Sequence, residues 1–280
     1  MNATLPRHCV PPDLVIPPRP QAMMVLMEEM PRPEPDFKRV VQAIQVDPGL
    51  AGALLKVVNS PAFGLPRKAS SISQAVSLLG LRNAHSIAAG LALRHAMNDH
   101  GNVSMERFWD TAEKVALICA ELARCLRGIR PDEAYTLGLF HDCGIPLLMR
   151  RYPHYRDALV RANHGEGQSF TQVEEEAVDT HHGAVGYFVA RSWHLPESLC
   201  QAILWHHDLG VFAANSNVPE AVKSFIGLVH FAEHIHHMHT RSAEDVEWLR
   251  FGERVLGYFG LTDEDYRSLI DAVQDALAAS

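Results

Sequence analysis

The sequence lacks several features that mark large classes of proteins. It has five cysteines among 280 residues, an odd number with no Cys-x-x-Cys pair, so a disulfide framework is not expected. No run of about 18 apolar residues occurs, and Met1 to Pro12 carries prolines but no apolar signal core. These absences argue against secretion and membrane spanning, and they predict a reducing, cytoplasmic location.

Positive charge is also scarce. The formal net charge is −8, and lysine and arginine form no dense block. A nucleic-acid-binding surface usually leaves a basic footprint in the sequence. We therefore expect neither nucleic acid nor a membrane as a partner.

Apolar residues recur at helical spacing through nearly every long segment, and no strand-like alternation interrupts them. Helix starts are indicated at Asp36, at Asp47-Pro48 and at Thr171, which with Glu174 fits a capping box. We predict an all-α protein, a multi-helix bundle of two closely packed lobes.

The predicted boundary between the lobes is Asp99 to Val103, where glycine, asparagine and aspartate cluster between two long helices. The expected units are an amino-terminal helical lobe at 13–98, a second lobe at 104–240, and helices at 241–280 that pack on the second lobe. The second lobe carries the residues of chemical interest.

An adjacent imidazole and carboxylate, His141-Asp142, interrupt an apolar helical run. Burying such groups without partners is costly, and a divalent metal is the simplest partner because this donor mixture suits iron, manganese, nickel and zinc. Helical bundles build such sites from inward-facing side chains of several helices. The predicted ligands are His141, Asp142, His182, His206, His207 and Glu233.

Other interpretations stay open at this point. The histidines could be partly buried core residues hydrogen-bonded to one another. Neighbouring helical residues point about 100° apart, so one member of each doublet should face the ion, and the sequence does not choose between His206 and His207. A further group shares one helix face, either as a metal site or, as we favour, as the polar side of that helix: His230, Glu233, His234 and His237.

The order of these motifs resembles the HD superfamily of metal-dependent phosphohydrolases. The amino-terminal part narrows the resemblance to the HDOD domain, whose pattern is an Asp-Pro, a leucine pair, an Asn-Ser and an alanine leading into Leu-Gly. The residues that carry it are Asp47-Pro48, Leu54-Leu55, Asn59-Ser60, Phe63-Gly64, and Ala75 through Leu79-Gly80. The resemblance covers roughly residues 13 to 240 and implies an HD-domain-like fold.

The same resemblance implies departures from a working hydrolase. Thr111 stands where the HD pattern places a histidine, and Ile145 stands where the related HD-GYP phosphodiesterases carry a lysine. No Gly-Tyr-Pro segment follows His207. Glu233 takes the place of the closing aspartate of the superfamily, and the family spacing favours His182 over His181.

The resemblance therefore implies a bacterial regulatory module with a degenerate HD-type metal site. Its partners would be other signalling proteins or a small signalling ligand such as a nucleotide. The alternative is a metal-dependent phosphohydrolase acting on the phosphoester of a nucleotide or cyclic dinucleotide, in which Asp142 would be the catalytic residue.

Overall fold

The computed structural model describes residue 11 and residues 14–65, 67–98, 106–164, 168–240 and 245–278. Throughout these ranges the regular secondary structure is helical and no β-strand is present, which confirms the all-α prediction. Within the same ranges, no helix combines the length and the hydropathy that crossing a bilayer requires.

The amino-terminal helices begin where the capping residues predict. Asp36 accepts a hydrogen bond from the Arg39 backbone N–H at 2.9 Å, and Asp47 accepts one from the Leu50 N–H at 3.0 Å. The elements are α1 (Gln21–Glu29), α2 (Phe37–Gln45), α3 (Pro48–Val58), a 3₁₀ turn (Pro61–Phe63), α4 (Ile72–Leu79) and α5 (Leu81–Asn98).

The helices that follow form the larger part of the bundle. They are α6 (Glu106–Cys125), α7 (Pro131–Phe140), α8 (Gly144–Arg151), α9 (Tyr155–His164), α10 (Phe170–Val178), α11 (His182–Ser192), α12 (Glu197–Trp205), a 3₁₀ turn (Leu209–Phe212) and α13 (Glu220–Thr240). The last two, α14 (Val246–Phe259) and α15 (Asp263–Ala278), pack mainly on α13 and α6 respectively.

One apolar core runs through helices on both sides of the predicted boundary, and α7 lies at its centre. A Cβ atom built on Gly90 of α5 would lie 2.6 Å from Leu139 Cδ2 of α7, so these helices touch closely. The boundary at 99–103, and the expected unit limits at 13, 104 and 241, lie outside the described residues. The division into units therefore stays a prediction.

The predicted capping box of α10 is wrong. Ser169 is the cap: its Oγ accepts from the Gln172 backbone N–H at 3.2 Å, and its own N–H donates to Gln172 Oε1 at 2.9 Å. With the helix starting at Phe170, Glu174 falls on the same face as the buried Phe170 and is itself buried. The Glu174 carboxylate can therefore make contacts inside the protein.

The expectation that α13 turns a polar side to solvent is also wrong. His230 and His234 are buried, because Phe251 and Trp248 of α14 and Tyr266 of α15 lie against them. His234 Nδ1 lies 2.8 Å from Asp245 Oδ2, and its Nε2 lies 2.8 Å from the Tyr266 hydroxyl. Its ring stacks on Trp248 with centroids 4.2 Å apart. Because both ring nitrogens of His234 have hydrogen-bond partners, its burial leaves no polar atom of the ring unsatisfied.

Candidate metal centre

The His141-Asp142 doublet lies in the tight turn between α7 and α8. His141 donates its backbone N–H to the Leu137 carbonyl at 2.8 Å, and α8 begins three residues later at Gly144. A Cβ atom on Gly144 would lie 2.1 Å from the His182 carbonyl oxygen, a backbone atom. Glycine thus permits the close approach that places the doublet beside the start of α11.

Asp142 lies at the centre of the cluster and faces different histidines with its two carboxylate oxygens. Its Oδ1 lies 3.3 Å from His182 Nε2 and 3.6 Å from His206 Nε2, whereas its Oδ2 lies 3.4 Å from His141 Nε2. The Nε2 atoms of His182 and His206 are 3.1 Å apart.

Glu233 and His207 extend the cluster. Glu233 Oε1 of α13 lies 3.3 Å from His141 Nε2. The ligand atoms form two groups, each within 4.8 Å of one another, which share Asp142: Asp142, His182, His206 and His207, and His141, Asp142 and Glu233. The structure thus brings all six predicted ligands together.

Both members of each doublet reach the cluster, including both His206 and His207. His141 is the C-cap of α7 and His206 is the C-cap of α12, so the second residue of each doublet lies just beyond a helix end. His141 and His206 keep αR dihedrals, so the two side chains of a doublet reach the cluster from different directions.

The four histidines are all anchored through Nδ1. The acceptors are the Gly138 carbonyl for His141 (2.8 Å), the Ile203 carbonyl for His206 (2.7 Å), Glu174 Oε2 for His182 (2.7 Å) and Glu247 Oε2 for His207 (2.9 Å). Carbonyl and carboxylate oxygens only accept, so these partners assign the proton of each neutral ring to Nδ1. Each Nε2 then carries a lone pair.

Around His182 and His206, whose neutral rings carry the proton on Nδ1, acceptors converge with no donor between them. The Nε2 lone pairs of His182 and His206 approach to 3.1 Å beside the Asp142 carboxylate, and these groups repel unless a cation lies among them. Imidazole nitrogens held through their other ring nitrogen, together with carboxylates, are typical ligands of first-row transition metals. The donor set therefore fits a divalent metal better than hydrogen bonds among the histidines themselves.

The ionisation of the cluster agrees with that fit at His206 and Asp142, but His141 differs from them. Although burial opposes the charged ring, Asp142 and Glu233 raise the pKa of His141 well above its ordinary value. Burial, with His207 adding to it, lowers the pKa of His206 well below its ordinary value. Although burial opposes ionisation, His141 holds the pKa of Asp142 well below its usual range. At neutral pH, His206 and Asp142 are thus in their metal-binding forms, whereas a metal would have to displace the second ring proton of His141.

Two carboxylates of the site were missed by sequence reasoning. Glu174 is fully buried, bonds to His182 and accepts a short hydrogen bond from the Tyr155 hydroxyl. Correct placement of the α10 cap would have put Glu174 on the buried face. Glu247 belongs to the carboxyl-terminal helices that were expected only to pack, and no local pattern marks it.

Two other residues considered from the sequence lie elsewhere. The Thr111 side chain is exposed on α6, so it does not face the donors. A buried α6 residue near the site is Cys119, whose thiol pKa is raised by burial and further by Glu233. His181 caps α11, accepting from the Ala184 backbone N–H at 3.3 Å. That role turns His181 away from the place that His182 occupies.

Comparison with known proteins gives a family match and a sequence relative. The family described as the HDOD domain matches residues 16–209. An uncharacterized protein of Treponema pallidum is 27% identical over 228 residues, which are 78% of this chain and 41% of that protein. The chain spans about two fifths of the length of this relative.

Solved structures share the fold at low sequence identity. An HDOD domain protein of unknown function from Geobacter sulfurreducens has a TM-score of 0.65 and 22% identity, over 95% of this chain and 91% of its own. A candidate metal-dependent phosphohydrolase from Shewanella amazonensis has a TM-score of 0.62 and 20% identity, over 93% of each chain. The similarity to these all-helical structures covers nearly the whole sequence.

Proposed function

The chain belongs to the HDOD domain family, and from that premise we propose that it is a regulatory module of bacterial signalling that holds a divalent transition metal. The observation that carries the proposal is the convergence of acceptors around Asp142, with all four histidines anchored through Nδ1. Iron, manganese, nickel and zinc all suit these donors. The metal would be held by His141, Asp142, His182, His206, His207 and Glu233.

A regulatory role is favoured over catalysis by what surrounds the donors. Ile145 is buried in the apolar core, at the position where a lysine would bind phosphate in the related phosphodiesterases. The exposed Thr111 contributes no ligand. Phosphoryl transfer depends on cations that stabilise the developing charge, so a centre without such a lysine is better suited to binding and structure.

In this proposal a small signalling ligand would occupy a cavity of about 320 Å³ that residues of α3 and α5 line. Apolar residues of α3 and α5 line it together with Glu113 of α6, which pairs with Lys56 of α3 at 3.3 Å and with Arg94 of α5. A ligand that displaced Glu113 would loosen ion pairs joining three helices.

The test is metal analysis of protein purified without added ions, followed by titration with Mn²⁺ and Zn²⁺. We expect bound metal that is lost in Asp142→Asn and retained in Asp157→Asn, a matched control at an exposed position of α9. Wild-type protein that binds neither ion at saturating concentration would refute the proposed metal centre.

The second candidate function is hydrolysis of a nucleotide or cyclic dinucleotide phosphoester, and the partial exposure of Asp142 favours it. A bound metal would supply an activated water, and Asp142 would hold and position it. Assays of the metal-loaded protein on panels of both substrate classes decide the question. Turnover that disappears in His141→Ala and Asp142→Asn but persists in Asp157→Asn would establish the enzyme and overturn the purely regulatory role.

A further inference from the structure

The four Nδ1 acceptors differ in where they come from along the chain. Three of them, the Gly138 carbonyl, the Ile203 carbonyl and Glu174, lie within the matched segment 16–209 and within eight residues of their histidines. The fourth, Glu247, lies 40 residues after His207 on α14. Orientation of His207 therefore depends on a helix outside the matched segment.

Glu247 is held in place from several directions. Arg250, one turn later on α14, lies 3.4 Å from Glu247 Oε1 and also donates to the Gln168 carbonyl at 3.2 Å. This contact ties α14 to the segment that leads into α10. A face of the His207 ring stacks on Phe170, with centroids 4.9 Å apart and planes 9° from parallel.

The helix that carries Glu247, α14, packs against α13. Asp245 caps its first turn by accepting from the Trp248 backbone N–H at 3.0 Å. Phe251 stacks on His230 with centroids 3.8 Å apart, and Trp248 stacks on His234. His230 in turn lies 2.5 Å from the His206 carbonyl through its Nε2. The packing of α14 is thus continuous with the backbone of the His206-His207 doublet.

We propose that Glu247 is a positioning residue of the metal centre. The helix α14, which carries it, is then a structural component of that centre and does not merely pack on the outside of the bundle. Glu247 accepts the Nδ1 proton of His207, which fixes the ring so that Nε2 remains for the ion. This inference rests on the proposed metal binding. It adds that the carboxyl-terminal helices and the ion stabilise one another, because such coupling is reciprocal.

The experiment compares Glu247→Gln with Glu253→Gln, a matched change at an exposed position of the same helix. Affinity for Zn²⁺ is measured by competition with a chromophoric chelator, and the ligand set is followed by the visible absorption of bound Co²⁺. We expect Glu247→Gln to weaken Zn²⁺ binding about 10- to 100-fold and to alter the Co²⁺ spectrum. Glu253→Gln should leave both unchanged.

A double-mutant cycle separates positioning from a general loss of structure. In a His207→Ala background, Glu247→Gln should cause no further loss of Zn²⁺ affinity, because the ring that it orients is gone. Additive losses would show that Glu247 acts only by stabilising the fold and would overturn the inference. Hydrogen exchange of the full chain gives an independent measure: Zn²⁺ should slow exchange in α14 of the wild type and less so in Glu247→Gln.

The outcome also distinguishes this inference from the proposed function. If the wild type binds no metal, the proposed metal centre fails. If the wild type binds Zn²⁺ and Glu247→Gln binds it equally well with the same Co²⁺ spectrum, the centre stands and the role of Glu247 is refuted.

Discussion

Adding one methyl group at Gly144 should damage both the fold and the proposed metal centre. The new Cβ would lie 2.1 Å from the His182 carbonyl oxygen and 2.8 Å from its carbonyl carbon. Both are backbone atoms, so no side-chain rotation relieves the clash. Restoring ordinary van der Waals contact, which begins at 3.4 Å, requires α8 and α11 to separate by more than about 1 Å.

The magnitude follows from that displacement. Overpacking of this kind costs about 1–3 kcal/mol, and a backbone obstacle places Gly144→Ala at the upper end of that range. For a chain of this size we expect the melting temperature to fall by about 4–10 °C. Because Asp142 Oδ1 and His182 Nε2 lie 3.3 Å apart across the same contact, metal affinity should also fall, by about 10-fold or more.

Differential scanning calorimetry and Zn²⁺ titration measure the two effects. Gly52→Ala in α3 is the control, since nothing lies within 4 Å of its built Cβ and its backbone is helical. That change should stabilise the protein by up to about 1 kcal/mol. If Gly144→Ala melts at the wild-type temperature and binds Zn²⁺ equally well, the close contact of α8 with α11 does not define the site.

Two further predictions concern buried groups. Burial, with His194 adding to it, lowers the pKa of His85 to about 4, and its Nε2 has no hydrogen-bond partner among the residues that the structure describes. As the pH falls, His85 therefore takes up a proton in the unfolded chain before it does so in the folded protein. The free energy of unfolding, measured with urea, should then fall by up to about 3 kcal/mol between pH 6.5 and pH 4. The fall should be smaller in His85→Leu. Glu174→Gln should weaken Zn²⁺ binding about 10- to 100-fold through loss of the charged partner of His182, whereas the exposed Glu176→Gln should not; equal affinities would contradict that role.

Much of the architecture could be predicted from local patterns. The apolar spacing and caps such as Asp36 and Asp47 placed most helices, because helix formation and capping depend on neighbouring residues. The α10 cap was misplaced by two residues, since Thr171 and Glu174 have the same spacing as the pair that forms the cap. That small error concealed the buried role of Glu174.

The six candidate metal ligands could be named from the sequence, because a histidine or carboxylate within an apolar run becomes buried and then needs a polar partner in any fold. The amino-acid types, their order and their helical settings were therefore sufficient for the family resemblance and for the six predicted ligands. These are properties of short segments.

Tertiary packing decided which nitrogen of each histidine is available and what holds it there. Glu247 reaches His207 from 40 residues away, and the covering helices α14 and α15 bury His230 and His234, which local spacing assigned to a solvent-facing side. No periodicity encodes such contacts, because they depend on how whole helices lie against one another. The sequence therefore determined the chemistry of the donors, and the fold determined their orientation.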